Sequence, residues 1–299
     1  MAKRQVNVYR LKTYLTGYAF IAPGLFGFLI FLGLPTIAAF VLSGYDWNLL
    51  SKPKFIGLTN FVNLVGDPTF WNALKVTLLY ILYNVPIETV LAIILAITLN
   101  RRLPGVVLFR VLFVLPWITT PVAVSLIWKW VLNPQFGMVS YFLSVIGLDS
   151  RSILLSPQSA LPQIALVNLW EFTGYQMMLF LAGLQGIPRQ LYEASDLDGA
   201  TGMQRAWYIT LPLLKPTTMF VLITSVIGSF QVFDTVYIMT QGGPGDATRV
   251  YYYYLYQNAF QFFKMGYASS MAVILFILIM AFTIAQFLYF RRQITYDLD

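Results

Sequence analysis

Long runs of apolar residues alternate with shorter polar segments along the whole chain. Each run reaches the roughly 18–20 residues that a helix needs to cross a bilayer. Leu, Ile, Val and Phe follow one another in these runs without the period-two alternation of a β-strand, so we predict helices. The predicted spans are residues 14–42, 76–99, 111–128, 160–187, 217–240 and 265–290.

The composition agrees with a chain that lies mostly in lipid. Apolar residues make up 58% of the sequence and charged residues 10%, whereas a soluble domain carries about 25% charged residues. The sequence has no cysteine and no histidine, which excludes disulfides, thiol nucleophiles and histidine-dependent triads or metal sites. We predict an all-α integral membrane protein, a six-helix bundle with neither a catalytic residue nor a metal site.

The first apolar run follows a basic tail, as the apolar core of a secretory signal peptide does. That core is about 7–15 residues long, however, and this run covers 29 residues. We therefore predict that the run is retained as a membrane anchor.

The distribution of Lys and Arg predicts the orientation in the membrane. The N-terminal tail, residues 100–110, residues 188–216 and the C-terminal tail hold 12 basic residues in 62 positions, and the three opposite loops hold 7 in 88. The denser side is expected to be cytoplasmic, so both termini face the cytoplasm. Topology therefore accounts for the net charge of +7, and no nucleic-acid partner is predicted.

One loop on the predicted cytoplasmic side, residues 188–216, has the pattern of a helical hairpin. Pro188 suits the first position of a helix, and Gly199 is a suitable residue to end it. Thr201 with Gln204 three positions later predicts a capping box at the start of a second helix. The loop is therefore predicted to be a compact structure rather than a plain connection.

The second helix of this hairpin is predicted over residues 202–209, with Leu211-Pro212 ending it and starting the fifth span. An amphipathic linker on the lipid surface is the alternative, but such a linker is rich in Lys and Arg. The hairpin instead presents Glu193, Asp196 and Asp198, which anionic lipid repels. We therefore favour a docking surface for another protein.

The same loop resembles the cytoplasmic EAA loop of permease subunits in bacterial binding-protein-dependent ABC importers. That loop has the pattern Glu-Ala-Ala, three residues, Gly, nine residues, Ile, one residue, Leu-Pro. The residues at those positions here are Glu193, Ala194, Ser195, Gly199, Ile209, Leu211 and Pro212, with Ser195 in place of the second alanine. With Asp198, they form the predicted ATPase-coupling surface.

Three shorter matches extend the resemblance over nearly the whole chain and narrow it to carbohydrate permeases of the MalF/UgpA type. They are Phe55–Phe61, Phe109-Arg110 with Leu115-Pro116, and Phe233-Asp234 with Thr240–Pro244. The Gly-Gly-Pro sequence in the last match favours this subunit over its usual MalG-like companion.

The resemblance implies a type I ABC importer permease in a bacterial inner membrane, with one permease domain over residues 1–299. It implies a second, MalG-like permease subunit, two ATPase subunits that receive the EAA loops, and an extracytoplasmic binding protein that delivers a sugar, a di- or oligosaccharide. The sequence lacks the G-x-x-x-x-G-K-[ST] motif, so we expect ATP and Mg²⁺ on the ATPase subunits. This chain is expected to bind no cofactor and to be no enzyme.

Polar and aromatic residues inside the fourth and fifth spans are the predicted substrate path. They are Asn168, Glu171, Phe172, Tyr175, Ser225, Ser229, Gln231 and Asp234. The first four recur at the spacing of one helix face, and the family gathers its substrate contacts in these two spans. Polar groups bind sugar hydroxyls and rings cover sugar C–H faces. The alternative is that these side chains only bond neighbouring helices.

The acids within the spans, Glu88, Glu171 and Asp234, leave a second function open. In a proton-coupled secondary transporter they would form a proton relay. Such transporters often contain paired repeats, which this sequence does not show. A membrane enzyme is a third possibility, but no motif joins the three acids. For Glu88 we favour a structural or inter-subunit role.

Several aromatic residues lie near the predicted outer boundary, among them Trp47, Trp71, Trp128, Trp130 and residues 251–254. We interpret them as an interfacial belt. Contact with the binding protein is the alternative interpretation of residues 251–256 and of the first outer loop.

Overall fold

The computed structural model describes residues 2–100, 104–147, 149 and 155–291 and is mostly helical. The helices are α1 (Ala2–Phe28), α2 (Leu34–Leu42), α3 (Thr59–Val65), α4 (Pro68–Leu99), α5 (Val106–Ile118), α6 (Pro121–Val131), α7 (Met138–Val145), α8 (Pro157–Gln185), α9 (Arg189–Leu197), α10 (Gly202–Arg205), α11 (Leu211–Leu213), α12 (Lys215–Phe230), α13 (Tyr251–Tyr256) and α14 (Met265–Arg291). π-Helical turns occur at Leu29–Gly33, Ala206–Thr210, Val236–Thr240 and Gln257–Gln261, and short strands at β1 (Tyr45–Asp46) and β2 (Lys54–Phe55). Arg101, Arg102, Arg151 and Arg292, which contribute to the predicted orientation, lie outside the described residues.

Length and hydropathy identify a multi-pass membrane protein. Lys12–Leu42, α4 and α14 are each long and apolar enough to cross a membrane. Two bent pairs add further spans if each pair counts as one: α5 with α6, and Gly202–Leu213 with α12. Helix α8 has 29 residues but is not in this set, because polar side chains interrupt its apolar sequence.

The third predicted span, residues 111–128, is wrong as a single helix. Helix α5 ends at Ile118 and α6 begins at Pro121, and the two are bent by 97°. Thr120 has an extended backbone, with φ −64° and ψ 135°. A proline ring disfavours the helical conformation in the residue before it, so Pro121 breaks the helix here.

The fifth predicted span, residues 217–240, is also interrupted. Helix α12 ends at Phe230, and residues 231–233 are not helical. The backbone N–H of Gln231 donates to Gly228 O at 3.0 Å, and that of Val232 donates to Ser229 O at 3.5 Å. These bonds to the third residue back tighten and end the last turn, and no proline marks the break.

The described chain divides into two units, of which the first comprises residues up to Leu64 together with Asn258–Ile274. Its apolar stretch Lys12–Leu42 has none of its most apolar window buried. Strands β1 and β2 pair antiparallel, with Tyr45 opposite Phe55. The buried Asn60 amide donates to the carbonyl oxygens of Ser43 and Tyr45, both at 2.9 Å, which ties α3 to this hairpin.

The second unit comprises Val65–Gln257 and the residues from Leu275 onward. Its long helices begin with matching caps. Asp67 accepts the Thr69 N–H before α4, and Ser156 accepts the Ser159 N–H before α8. A proline occupies the first turn in both cases, where its missing N–H costs nothing. The two helices share an apolar cluster with α12: Ala92, Ala96, Leu99, Met177, Phe180, Leu181, Leu184, Ile187, Leu214 and Val221.

Helices α5 and α8 approach each other closely at Gly174. A Cβ atom at this position would collide with the backbone carbonyl of Phe113. The absence of a side chain on Gly174 therefore sets the distance between the two helices.

The interfacial belt predicted for residues 251–254 is wrong for three of the four tyrosines. Tyr251, Tyr253 and Tyr254 are buried. The Tyr251 ring lies 5.6 Å from the Phe70 ring, and burial raises the pKa of the Tyr251 phenol well above its ordinary value. Packing of α13 against α4 therefore outweighs the interfacial preference of tyrosine.

Candidate functional site

A partly open cavity of about 260 Å³ is lined by residues of α4, α5, α8, α12 and the segment that follows α12. All eight residues predicted for the substrate path line it: Asn168, Glu171, Phe172, Tyr175, Ser225, Ser229, Gln231 and Asp234. The structure thus brings the predicted residues of the fourth and fifth spans to the same cavity. Their role as substrate contacts stays a prediction.

Asn168 lines the cavity and also forms hydrogen bonds within the helix bundle. Its amide donates to Thr235 Oγ1 at 3.3 Å and to Ile164 O at 3.0 Å. Gln176 similarly donates to Ser225 Oγ at 2.7 Å. Bonds between helices and lining of the cavity therefore occur together in these side chains, although the sequence presented them as alternatives.

A pair of stacked aromatic rings forms another part of the wall. The rings of Trp117 and Tyr175 are 4.5 Å apart between centroids and inclined by 16°. The close approach at Gly174 brings α5 near enough for this contact. Sequence reasoning missed Trp117, because its place within the apolar run of residues 111–128 carries no periodic signal.

Another part of the wall belongs to α4, which the predicted substrate path does not include. Tyr80, Asn84 and Glu88 line the cavity, and Asn84 Nδ2 donates to Glu88 Oε2 at 2.8 Å. Their spacing of four residues places them on one helix face, a signal in the sequence that could have found them. Glu88 therefore shares the cavity with Glu171 and Asp234, whereas we had favoured a structural or inter-subunit role for it.

The predicted hairpin is present in residues 188–216 with small changes at its boundaries. Pro188 precedes α9 instead of occupying its first position. Gly199 follows the helix with φ +72°, a conformation that glycine adopts without strain. The capping box is confirmed: Thr201 Oγ1 accepts the Gln204 N–H at 3.3 Å, and Gln204 Oε1 accepts the Thr201 N–H at 2.7 Å.

The predicted end of the second helix at Leu211-Pro212 is wrong. The helical segment continues as Gly202–Leu213 and then bends by 66° into α12. Pro212 and Pro216 each occupy the first turn of a helix, where the missing N–H of proline leaves no carbonyl unpaired. The bend before α12 therefore lies between Leu213 and Lys215 and not at Leu211-Pro212, where we predict the start of the fifth span.

Local hydrogen bonds hold the two arms of the hairpin together. Ser195 is buried and donates to Tyr192 O at 2.7 Å, so it lies on the inner side and not on the surface we predicted for it. The Tyr192 hydroxyl lies 3.0 Å from Thr210 Oγ1. Asp196 and Arg205 form an ion pair between the arms.

The outer side of the hairpin carries most of the predicted coupling residues. Glu193, Ala194, Asp198, Gly199 and Pro212 are exposed, and Ile209 and Leu211 are half-buried. Large apolar side chains that the prediction omitted are exposed beside them: Leu197 at 90%, Met203, Trp207 and Tyr208 at 81%. The type and number of these side chains could have indicated this surface from the sequence, because a helix in water rarely exposes so many large apolar residues.

A multi-pass helical protein with a polar cavity among its helices is a membrane transport protein by class. Residues 69–295 match the family described as the binding-protein-dependent transport system inner membrane component. The chain belongs to this family, whose members are the permease subunits of ABC importers.

Individual relatives place the chain among the carbohydrate permeases, as predicted. The probable ABC transporter permease protein YesP of Bacillus subtilis is 40% identical over 281 residues, which cover 92% of this chain and 90% of that protein. The trehalose/maltose transport system permease protein MalF of Thermococcus litoralis is 34% identical over 272 residues, 90% of this chain and 91% of that protein. These relatives are permease subunits and not enzymes.

A solved structure shares the fold. A chain of a bacterial alginate ABC transporter, crystallised with an alginate pentasaccharide-bound periplasmic protein, superimposes with a TM-score of 0.84 at 25% identity. The match covers 95% of this chain and 96% of that chain.

Proposed function

We propose that this chain is one of two permease subunits forming the translocation path of an ATP-driven importer for a sugar, a di- or oligosaccharide. It would act as one permease domain and supply half of the path, and a MalG-like subunit would supply the other half. Six spans would cross a bacterial inner membrane, with α8 as the fourth. Both termini would lie in the cytoplasm.

The observation that carries this proposal is the wall of the cavity. Polar groups of Asn168, Glu171 and Gln176 lie beside the stacked rings of Trp117 and Tyr175. A sugar offers hydroxyls to the first set and apolar C–H faces to the second. The trehalose/maltose specificity in the name of one relative supports the same class of substrate.

The exposed apolar side chains of the hairpin support a coupling role for residues 188–216. Trp and Tyr are frequent among the residues that contribute most to the affinity of interfaces. We propose that the outer side of the hairpin, with Trp207 and Tyr208, docks on an ATPase subunit. ATP and Mg²⁺ would bind to the two ATPase subunits and not to this chain, and an extracytoplasmic binding protein would deliver the sugar.

Uptake by the assembled complex in proteoliposomes tests the energy source. Maltose and trehalose serve as probes, with the co-purified binding protein outside and ATP inside. We expect uptake that needs ATP and does not respond to an imposed pH gradient. Uptake without ATP that follows the pH gradient would instead support the proton relay of Glu88, Glu171 and Asp234.

A charge reversal on the hairpin tests the docking surface. Because Glu193 is exposed, Glu193→Lys should leave the melting temperature unchanged and weaken co-purification of the ATPase. Asp46→Lys is the matched control, because it makes the same charge change at an exposed residue outside the hairpin. Equal ATPase recovery with both variants would contradict the proposal.

A further inference from the structure

We infer that the cavity admits carbohydrates that are uncharged or positively charged, and that Glu88, Glu171 and Asp234 together reject those carrying a carboxylate, sulfonate or phosphate group. This inference rests on the proposed function for the statement that the substrate is a carbohydrate. It goes further by assigning the charge of that substrate and by giving Glu88 a part in its selection.

Among the acidic and basic side chains, only acids line the cavity wall. Glu88, Glu171 and Asp234 line the cavity, and none of the described lining residues is Lys or Arg. The ion pairs within the described part of the chain join Asp196 to Arg205 and Asp246 to Arg249. The three cavity acids therefore have no basic partner among those residues.

The polar atoms of this wall that lack a hydrogen-bond partner are all side-chain oxygens. They are Asn84 Oδ1, Glu88 Oε1, Glu171 Oε2 and Gln176 Oε1, on side chains that are more than nine-tenths buried. One N–H of the Asn84 amide donates to Glu88, and one N–H of the Gln176 amide donates to Ser225. Glu88 Oε1 and Glu171 Oε2 therefore accept no hydrogen bond from a described residue.

An unpaired buried acceptor is costly to leave in place, and sugar hydroxyls and ammonium groups can donate to it. An ionised carboxylate, sulfonate or phosphate can only accept. The unpaired oxygens have no exposed surface in this structure, so a ligand with donors would reach them once the side chains of Glu88 and Glu171 turn toward the cavity.

Each of the three acids that is ionised adds negative charge to the cavity. A cleft with one sign of charge and low-dielectric walls concentrates counter-ions and depletes ions of its own sign. The alginate importer, which carries an acidic polysaccharide, has a similar fold. Because the two chains share a fold, we attribute a difference in charge preference to the side chains that line the cavity.

The absence of cysteine from the sequence allows a direct measurement of this preference. Thr224 lines the cavity and is exposed to it, so Thr224→Cys provides one thiol in the wall. In the complete complex, with cysteines of the other subunits replaced, this thiol is labelled by a cationic trimethylammonium or an anionic sulfonate methanethiosulfonate. The ratio of the cationic to the anionic labelling rate is then divided by the same ratio measured for free cysteine.

We expect the cationic reagent to react at least about tenfold faster than the anionic one after this normalisation. Adding Glu88→Gln, Glu171→Gln and Asp234→Asn should bring the ratio close to one. Asp234→Asn alone, a change at an exposed residue, should reduce the ratio partially even if the triple variant does not fold. Gln135→Cys, an exposed position outside the cavity lining, is the control and should show a ratio near one.

Equal rates at Thr224→Cys, or a ratio that Asp234→Asn leaves unchanged, would overturn the inference. Uptake of maltose against its carboxylate derivative maltobionate provides the second arm, with maltose expected to enter at least about tenfold faster. Failure of all sugar uptake with an intact labelling ratio would contradict the proposed function but support the charge preference. The two failures are therefore distinguishable.

Discussion

The cavity and the hairpin both carry side chains whose polarity is opposite to their surroundings. In the cavity, carboxylates and amides are buried among apolar helices, with Glu171 only 1% exposed. In the hairpin, Leu197, Trp207 and Tyr208 project outward beside acidic residues. Each arrangement costs free energy in the isolated chain, and each cost is offset when a binding partner covers it.

The two regions differ in what holds their side chains in place. In the cavity, the bond from Asn168 to Thr235 joins residues 67 apart in the sequence, and that from Gln176 to Ser225 joins residues 49 apart. In the hairpin, the capping box spans three residues. The cavity therefore depends on the packing of the bundle, whereas much of the hairpin is stabilised by its own sequence.

The largest expected effect is a loss of stability in the helix bundle, which should affect the cavity more than the hairpin. Gly174→Leu places a side chain against the Phe113 carbonyl, which should push α5 from α8 and cost more than about 3 kcal/mol of stability. The melting temperature of the purified complex measures this loss. Gly228→Ala is the control, because no described atom outside its own turn lies within 4 Å of a Cβ there, and its effect should stay within about 1 kcal/mol.

Local hydrogen bonding should preserve more of the hairpin than of the cavity in Gly174→Leu. Hydrogen exchange would show increased exchange in α5 and α8 and smaller changes in α9 and α10. A melting temperature equal to that of the Gly228→Ala control would contradict the close approach at Gly174.

The next effect addresses the hairpin alone. The double variant Trp207→Ala with Tyr208→Ala should bind the ATPase more weakly by about 2 kcal/mol or more, roughly thirtyfold in the dissociation constant. The expected cause is loss of exposed aromatic area, so the melting temperature should not change. Co-purification and titration with the ATPase measure the effect, with Phe136→Ala as a control at another exposed ring. Equal binding by both would show that the aromatic pair lies outside the interface.

A smaller effect is expected in the cavity when one ring is removed. Tyr175→Ala abolishes the stack with Trp117, which contributes about 0.5–1.5 kcal/mol beyond buried area, so the KM for sugar uptake should rise up to about tenfold. Glu171→Ala should also impair uptake. Tyr175→Phe retains the ring and should remain close to the original protein. ATPase co-purification should be unchanged, and its loss would identify Tyr175 as a packing residue instead.

The smallest expected effect is confined to one turn of the hairpin. Thr201→Ala removes the side-chain cap of α10 and should cost about 1 kcal/mol locally, whereas Thr201→Ser keeps the hydroxyl. Faster amide hydrogen exchange at Gln204 in the alanine variant measures the change. If the alanine and serine variants exchanged at equal rates, the observed bond from Gln204 to Thr201 would contribute nothing.

Short-range patterns predicted much of the fold and part of the cavity. The apolar runs located helices at every predicted span, and helical spacing placed Asn168, Glu171, Phe172 and Tyr175 on the cavity side of α8. The breaks after Ile118 and Phe230 were missed because mean hydropathy does not register backbone geometry. Tyr80, Asn84 and Glu88 share one helix face in the same way, but the predicted substrate path lies in the fourth and fifth spans only and does not include them.

The sequence by itself determined the helical class, the presence of several apolar helices and much of the local structure of the hairpin, because those properties depend on residues within a few positions of one another. Only the tertiary structure decided which faces meet. The collection of Glu88, Trp117, Glu171 and Asp234 around one cavity depends on helix packing, including the close approach at Gly174, and no periodicity along a single helix specifies which neighbouring helix that face will contact.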